Sequence, residues 1–230
     1  YEDRGGDQRL VAWGDVETGA QGSYPGDLRM VSPTSNLNAY HTSRGDYPDH
    51  EVLRQRGEHG VFVQDLDTGE SKRVATVEEC WQIHPRREEI ADWHLFVKHT
   101  KWSPDGTRLM FVFCNANYHP KYGEIPWVKD VYVVNADGTG LKRVGEFGGH
   151  PLWHPNGEEI LSVTAFEGQP GRRSLVLHDV ETGEKKLATT AIAGHGHPSF
   201  SPDGKSIVLD YVRGSEGTGS LCLVDVEANE

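Results

Sequence analysis

The chain has 230 residues, of which 36% are hydrophobic and 25% charged, a composition typical of a globular protein that can bury an apolar core. Its formal net charge of -12 argues against nucleic acid or an anionic membrane as a general partner, because either needs a basic binding face. Its apolar runs are far shorter than the roughly 20 residues that cross a bilayer, and no secretory segment opens the given residues. We therefore expect no membrane partner, and both the cytoplasm and the periplasm stay open as compartments.

Short strands and turns alternate along the chain. Apolar strands with β-branched residues are predicted at 9–13, 60–63, 131–134, 174–177 and 220–224. An Asp-led or Asn-led turn follows each strand, in most cases ending in a glycine that supplies the positive φ. Fourth strands are predicted at 71–76, 141–144 and 185–189.

The three cysteines, Cys80, Cys114 and Cys222, are scattered along these strands and the segments between them. They are too few for a disulfide framework and are not spaced as a Cys-x-x-Cys metal site. We expect them to pack in the core.

One pattern occurs three times, at 99–106, 150–157 and 197–204. In each copy a histidine precedes an aromatic residue by three positions, a Pro-Asp-Gly or Pro-Asn-Gly turn follows, and an apolar strand comes next. Four strands repeated at roughly 40 to 50 residues are the signature of a β-propeller, in which each blade is a four-stranded antiparallel sheet.

We therefore predict an all-β chain with a single β-propeller domain over residues 1–230. A partial blade would occupy 1–24, and further blades would lie at about 28–77, 99–147, 150–190 and 197–230. An insertion at 78–96, part of which is expected to be a short helix, interrupts the repeat. Both ends of the chain supply a third strand, which favours an incomplete piece of a six- or seven-bladed propeller.

The repeat places histidines together. The first strand of every propeller blade lines the central channel, so His99, His150 and His197 are expected at one mouth of it, with His195 in the same approach loop. Neutral imidazoles gathered in this way suit a borderline divalent ion such as Mn, Zn or Fe. The alternative is structural, with the histidines bonding backbone groups around the axis.

These residues carry a resemblance. The Gly-His-Pro around His150, the His-x-His of His195 and His197, and the Ser-Pro-Asp-Gly turns resemble the oligogalacturonate lyase family of polysaccharide lyases, which are seven-bladed propellers. More distantly, the chain is similar to TolB-like and WD40-like propellers, of which the TolB-like group shares the turns but lacks the histidine set.

The resemblance to the lyases implies a metal site and a reaction. His150, His195 and His197 would hold a divalent metal, with Mn favoured and Zn or Fe as alternatives, and His99 would be the general base. The substrate would be an acidic oligosaccharide, an oligogalacturonide or another uronate, cleaved by metal-assisted β-elimination. The family has a further glutamine ligand shortly before its His-x-His pair, and Ile192 stands at the corresponding spacing.

Substrate contacts are expected from the insertions. Arg54 and Arg86 could clamp a carboxylate, and Tyr118 and His119 could stack on sugar rings. Solvated surface charge is the alternative for the arginines.

Two other functions stay open. The chain could be a non-catalytic TolB-like propeller that binds protein or ligand, or the propeller part of a larger hydrolase. No Gly-x-Ser-x-Gly motif occurs in the given residues, so they offer no argument for a serine hydrolase. The oligomeric state is left open.

Overall fold

The computed structural model describes residues 2–4, 7–9, 20–21, 31–42, 56–116, 118–119, 121–167, 173–194, 196–213 and 218–229. These residues form a nearly all-β protein built from antiparallel sheets. The chain divides into two compact units, Tyr1–Arg143 and Val144–Glu230. Among the described residues, no helix has the length and apolar character that crossing a membrane requires.

The first unit carries a short ribbon, two four-stranded sheets and a small hairpin. The strand orders are β1-β2, β3-β4-β5-β6, β12-β11-β8-β7 and β10-β9, and the last strand, β12, ends beyond the unit boundary. The elements are β1 (Glu2–Arg4), β2 (Asp7–Arg9), β3 (Ala20–Gln21), β4 (Leu37–Thr42), β5 (Gly60–Asp65), β6 (Ser71–Thr76), α1 (Val77–Gln82), β7 (Leu95–Trp102), β8 (Arg108–Asn115), β9 (Tyr118–His119), β10 (Gly123–Glu124), β11 (Lys129–Asn135) and β12 (Lys142–Glu146).

The second unit contains one four-stranded and one three-stranded sheet. Their strand orders are β13-β14-β15-β16 and β17-β18-β19. The strands are β13 (Leu152–Trp153), β14 (Glu159–Ala165), β15 (Arg173–Asp179), β16 (Lys185–Leu187), β17 (Ser199–Phe200), β18 (Ser206–Arg213) and β19 (Thr218–Asp225).

The predicted turns set the register of these sheets. The Ser103 hydroxyl donates to Asp105 Oδ1 at 2.5 Å, and the same carboxylate oxygen accepts the Thr107 backbone N–H at 3.1 Å. The Arg108 N–H then donates to Ser103 Oγ at 2.9 Å, so Trp102 pairs with Leu109 across β7 and β8. Equivalent bonds recur in the turn from Ser201 to Ser206.

Each unit has an apolar core of its own. In the first unit the rings of Phe111, Phe113 and Tyr132 are fully buried, and the Tyr132 ring contacts both phenylalanine rings. In the second unit the core is built from the inward faces of β13, β14, β15, β18 and β19. Burying one such side chain is worth about 1.5–3 kcal/mol. Cys80 and Cys114 are buried free thiols, as expected.

The short helix expected between residues 78 and 96 is confirmed as α1. It begins at a capping box, in which Thr76 Oγ1 accepts the Glu79 N–H at 2.9 Å and the Glu79 carboxylate accepts the Thr76 N–H at 2.8 Å. Two orphan N–H groups of the helix start are satisfied in this way. The Tyr132 hydroxyl donates to the Cys80 carbonyl at 3.0 Å, which ties α1 to β11.

A buried carboxylate anchors the segment that follows α1. Asp130 on β11 is 1% exposed, and its Oδ2 contacts His84 Nε2 at 2.7 Å and Arg143 Nε at 2.7 Å. A buried charge is tolerated only where partners compensate it. This triad therefore fixes the segment to the sheet.

We expect Asp130→Asn to lower the free energy of unfolding by about 3 kcal/mol, because removing one member of a buried ion pair leaves the others uncompensated. Urea denaturation measures the change. Asp67→Asn, the same substitution at an exposed turn position, is the control and should change stability by less than about 0.5 kcal/mol. Equal losses in the two variants would contradict the structural role of the triad.

Candidate functional site

Two of the repeated histidines have an unusual backbone conformation. His99 has φ 56° and His150 has φ 50°, a left-handed region that side chains with a Cβ rarely adopt and that costs about 1–2 kcal/mol. Such strain persists only where the surroundings fix it, and it is concentrated at functional sites. In the third copy the left-handed residue is Gly196, with φ 57°, one position before His197.

The second unit brings His150 and His197 together. Their ring centroids are 4.2 Å apart and the rings meet edge to face. His197 is exposed, and its Nδ1 lies 3.1 Å from Asp210 Oδ2. The His197 backbone N–H donates to the other oxygen of the same carboxylate. Asp210 thus fixes the ring through Nδ1, and Nε2 is left for another partner.

The pKa of the Asp210 carboxyl lies below its usual value. The first cause is the hydrogen bond from the His197 backbone N–H, and the second is the hydrogen bond from the His197 ring. Asp210 is therefore ionised at neutral pH. An ionised carboxylate behind Nδ1 orients a histidine and raises its basicity as a metal ligand.

His150 and His197 offer a divalent cation two imidazole rings that lie side by side, and the Asp210 carboxylate orients one of them. This donor set fits a cation that prefers nitrogen ligands. His195 lies outside the described residues. Within the described ranges, no three side chains of His, Cys, Asp or Glu are grouped to hold a metal. Ile192 packs against the apolar core of the second unit and supplies no ligand atom.

His99 stands in a β-bulge of the first unit. The pairing of β7 with β8 shifts between Lys98 and Lys101, and such bulges re-aim side chains. The next residue, Thr100, is fully buried, and its hydroxyl lies 3.2 Å from Nδ1 of His41 on β4. Burial, the first cause, and the charge of His99, the second, together lower the pKa of His41 to about 4.

His119, expected at the substrate site, is buried and held on both ring nitrogens. Its Nε2 lies 3.2 Å from the Asp92 carbonyl oxygen, and its Nδ1 accepts the Lys121 N–H at 3.0 Å. The ring stacks on Tyr122, with the centroids 4.5 Å apart. These contacts let His119 brace the β9–β10 hairpin.

The other three expected substrate residues are placed differently. The Arg86 guanidinium donates to both carboxylate oxygens of Glu89, at 2.7 Å and 2.6 Å. Tyr118 lies in β9, but its side chain is outside the described part of the chain. Arg54 is also outside it.

Sequence reasoning missed His41 and Asp210, although a signal for both was present. In each of the four sheets with three or four strands, a residue of the second strand pairs with the residue that precedes the Pro-containing turn. Three positions further along the second strand, the four sheets carry, in chain order, His41, Val112, Val163 and Asp210. Two titratable residues therefore replace valine at one repeat position. A polar residue inside an apolar strand is the sign that could have identified them.

We expect Gly196→Ala to disrupt the His197 loop. A Cβ at Gly196 would overlap the carbonyl and carboxylate oxygens of Asp210, so the backbone must move and the bonds from His197 to Asp210 are lost. Gly183→Ala is the matched control, since Gly183 also has positive φ (75°) but its Cβ would meet only the Val144 carbonyl oxygen at 3.5 Å. Denaturant unfolding should show a loss of about 1 kcal/mol for Gly183→Ala and of about 2 kcal/mol or more for Gly196→Ala. Equal losses would assign the whole effect to backbone strain.

Comparison with known proteins places the fold. No protein-family profile matches the chain. Its structure is similar to that of an oligogalacturonate lyase in complex with manganese, with a TM-score of 0.53 and 19% identity, over 84% of this chain and 48% of the lyase.

Two curated relatives are similar in sequence. An uncharacterized peptidase, YuxL, from Bacillus subtilis is 28% identical over 145 residues, which are 47% of this chain and 21% of that protein. The Tol-Pal system protein TolB from Alcanivorax borkumensis is 34% identical over 83 residues, which are 35% of this chain and 19% of TolB. The chain thus spans about a fifth of each relative. The predicted resemblance is confirmed, to oligogalacturonate lyase in fold and to a TolB protein in sequence.

Proposed function

We propose that this chain is part of a β-propeller lyase that cleaves uronate oligosaccharides by metal-assisted β-elimination. The observation that carries the proposal is the pairing of His150 with His197, at 4.2 Å between ring centroids, with Asp210 behind His197. The fold similarity to a lyase in complex with manganese supports it.

The propeller itself is part of the proposal. Antiparallel sheets of three or four strands follow one another with the same turn before each second strand, as the blades of a propeller do. We infer blades at about 28–77, 99–147, 150–190 and 197–230, within a propeller of six or seven. The chain corresponds to about half the length of the lyase structure.

His150 and His197, together with His195, would hold the cation, with Mn favoured and Zn or Fe as alternatives. A divalent cation bound there supplies a Lewis acid that neutralises the charge developing on the uronate carboxylate. Asp210 keeps the His197 ring in position to bind. The left-handed backbone of His150 directs its ring toward His197.

His99 would act as the general base. In β-elimination the base takes the proton from C5 of the uronate, a double bond forms between C4 and C5, and the C4–O bond breaks. The departing oxygen gains a proton from solvent. An imidazole, with an ordinary pKa near 6.5, suits a proton transfer at neutral pH.

Substrate binding is proposed for Arg54, Arg86, Tyr118 and His119. Arg86 already forms a two-point bond with Glu89, the geometry in which an arginine binds a sugar carboxylate. A uronate would have to replace Glu89. The His119 nitrogens are engaged and its buried ring stacks on Tyr122, so a sugar would have to displace these contacts.

The alternative is a non-catalytic propeller that binds protein or another ligand. The sequence similarity to a TolB protein favours it, and the similarity to a peptidase is compatible with a propeller attached to a hydrolase. A propeller hosts all of these functions. Metal binding by the histidines separates the lyase from the alternative.

We expect the purified chain to bind Mn, Zn or Fe near one equivalent, and the His195→Ala/His197→Ala double variant to lose it. Elemental analysis measures the metal. His154→Gln is the control, because His154 belongs to a turn in which its Nδ1 accepts the Asn156 N–H at 3.1 Å. Metal-loaded protein should then produce the ultraviolet absorbance of an unsaturated uronate from oligogalacturonides. Absence of metal after soaking in Mn and Zn would overturn the lyase proposal in favour of the binding propeller.

We expect His99→Ala to reduce elimination at least 100-fold, the lower range of general base catalysis, while the bound metal stays at the level of the unmodified chain. Turnover and elemental analysis on the same preparation check this. A variant that keeps full turnover would remove His99 from the mechanism.

A further inference from the structure

The left-handed conformation of His99 has to be held by its surroundings. His99 lies in the bulge of β7, where Lys98 pairs with Val112 and Lys101 pairs with Met110 on β8. Two residues of β7, His99 and Thr100, therefore oppose the single residue Phe111 of β8, and the regular ladder is interrupted at His99. Strand pairing alone does not fix its conformation.

A contact from the neighbouring sheet reaches the bulge at the next residue. The Thr100 side chain is fully buried, and its Oγ1 lies 3.2 Å from Nδ1 of His41, which is 7% exposed. His41 belongs to β4, which contacts β7. The two residues are separated by 59 positions in the chain, so this hydrogen bond joins two sheets at the site of the strain.

We propose that His41 is a positioning residue, which fixes the His99 imidazole through its hydrogen bond to Thr100. The proposal deepens the lyase hypothesis and rests on it only where turnover is concerned. Its structural content, the orientation of the His99 ring, is independent of the reaction.

The state of His41 agrees with this role. Burial first, and the nearby His99 second, lower its pKa to about 4. A neutral ring has one N–H and one lone pair, so it can share a hydrogen with the Thr100 hydroxyl without burying a charge beside the bulge.

Four single variants test the contact. His41→Leu and Thr100→Val remove one partner each, and valine keeps the shape and β-branching of threonine. His41→Asn and Thr100→Ser keep a hydrogen-bonding group at the same depth and should leave the His99 imidazole signals as they are in the native chain. The readout is the pair of imidazole NMR signals of His99 in histidine-labelled protein, assigned with His99→Gln.

A control of the same chemistry exists in the second unit. His178 is fully buried, its Nε2 lies 3.1 Å from Ser162 Oγ, and burial lowers its pKa to about 4 as well. Ser162→Ala therefore removes a comparable buried hydrogen bond. It should lower the midpoint of denaturant unfolding and leave the His99 signals in place.

We expect His41→Leu and Thr100→Val to shift or broaden the His99 signals. His41→Asn and Thr100→Ser should leave these signals at their native positions. With active enzyme, kcat should fall at least 10-fold with little change in KM, because a displaced base costs rate and not binding. If Thr100→Val leaves the His99 signals unchanged, or moves them no more than Ser162→Ala does, the proposal is wrong. If the native chain shows no turnover, the lyase hypothesis fails while the NMR signals still decide the role of His41.

Discussion

A single side-chain oxygen closes the turn between the first two strands of a sheet, and the register of the sheet depends on it. In the turn from Ser103, the Asp105 carboxylate accepts bonds from a hydroxyl and from a backbone N–H. In the turn from His154, Asn156 takes the place of the aspartate and accepts the Glu158 N–H at 2.9 Å. Because side chains alternate across a strand, a shift of one residue would move every side chain to the other face.

This register gives the second strand a position that faces the histidine loop. Where valine occupies it, as at Val112 and Val163, the side chain is buried in the apolar core. Where His41 occupies it, the buried ring needs a partner, since an unsatisfied buried group costs about 1–3 kcal/mol. Asp210, at the same position, is half exposed. Asp210 forms a hydrogen bond with His197, which precedes the first strand of the same sheet, and His41 forms one with Thr100 of the next sheet. The same repeat position thus yields two different supports for two histidines.

The strained backbone of two histidines bears on the function of the site. His99 and His150 both have positive φ, and each conformation costs free energy that the surrounding contacts must offset. A scaffold that only binds partners through its turns gains nothing from such a cost. A site that must hold an imidazole at a fixed point does gain, because catalysis and metal binding depend on the orientation of the ring. This is the physical reason for which we propose a lyase ahead of a binding propeller, although the fold is common to both.

The sequence by itself determined the local structure. Three features depend only on residues that are close together in the chain: strand alternation, the Asp-led turns and the recurrence of histidine before an aromatic residue. The short helix that follows Thr76 depends on local sequence in the same way. The tertiary structure decided which side chains meet. Asp210 reaches His197 across 13 positions and His41 reaches Thr100 across 59, distances at which periodicity carries no information about partners. The same holds for His119 and Arg86, whose polar atoms are occupied by Asp92, Lys121 and Glu89. Which hydrogen bonds a side chain forms depends on how strands and loops pack, and that packing exists only in the folded chain.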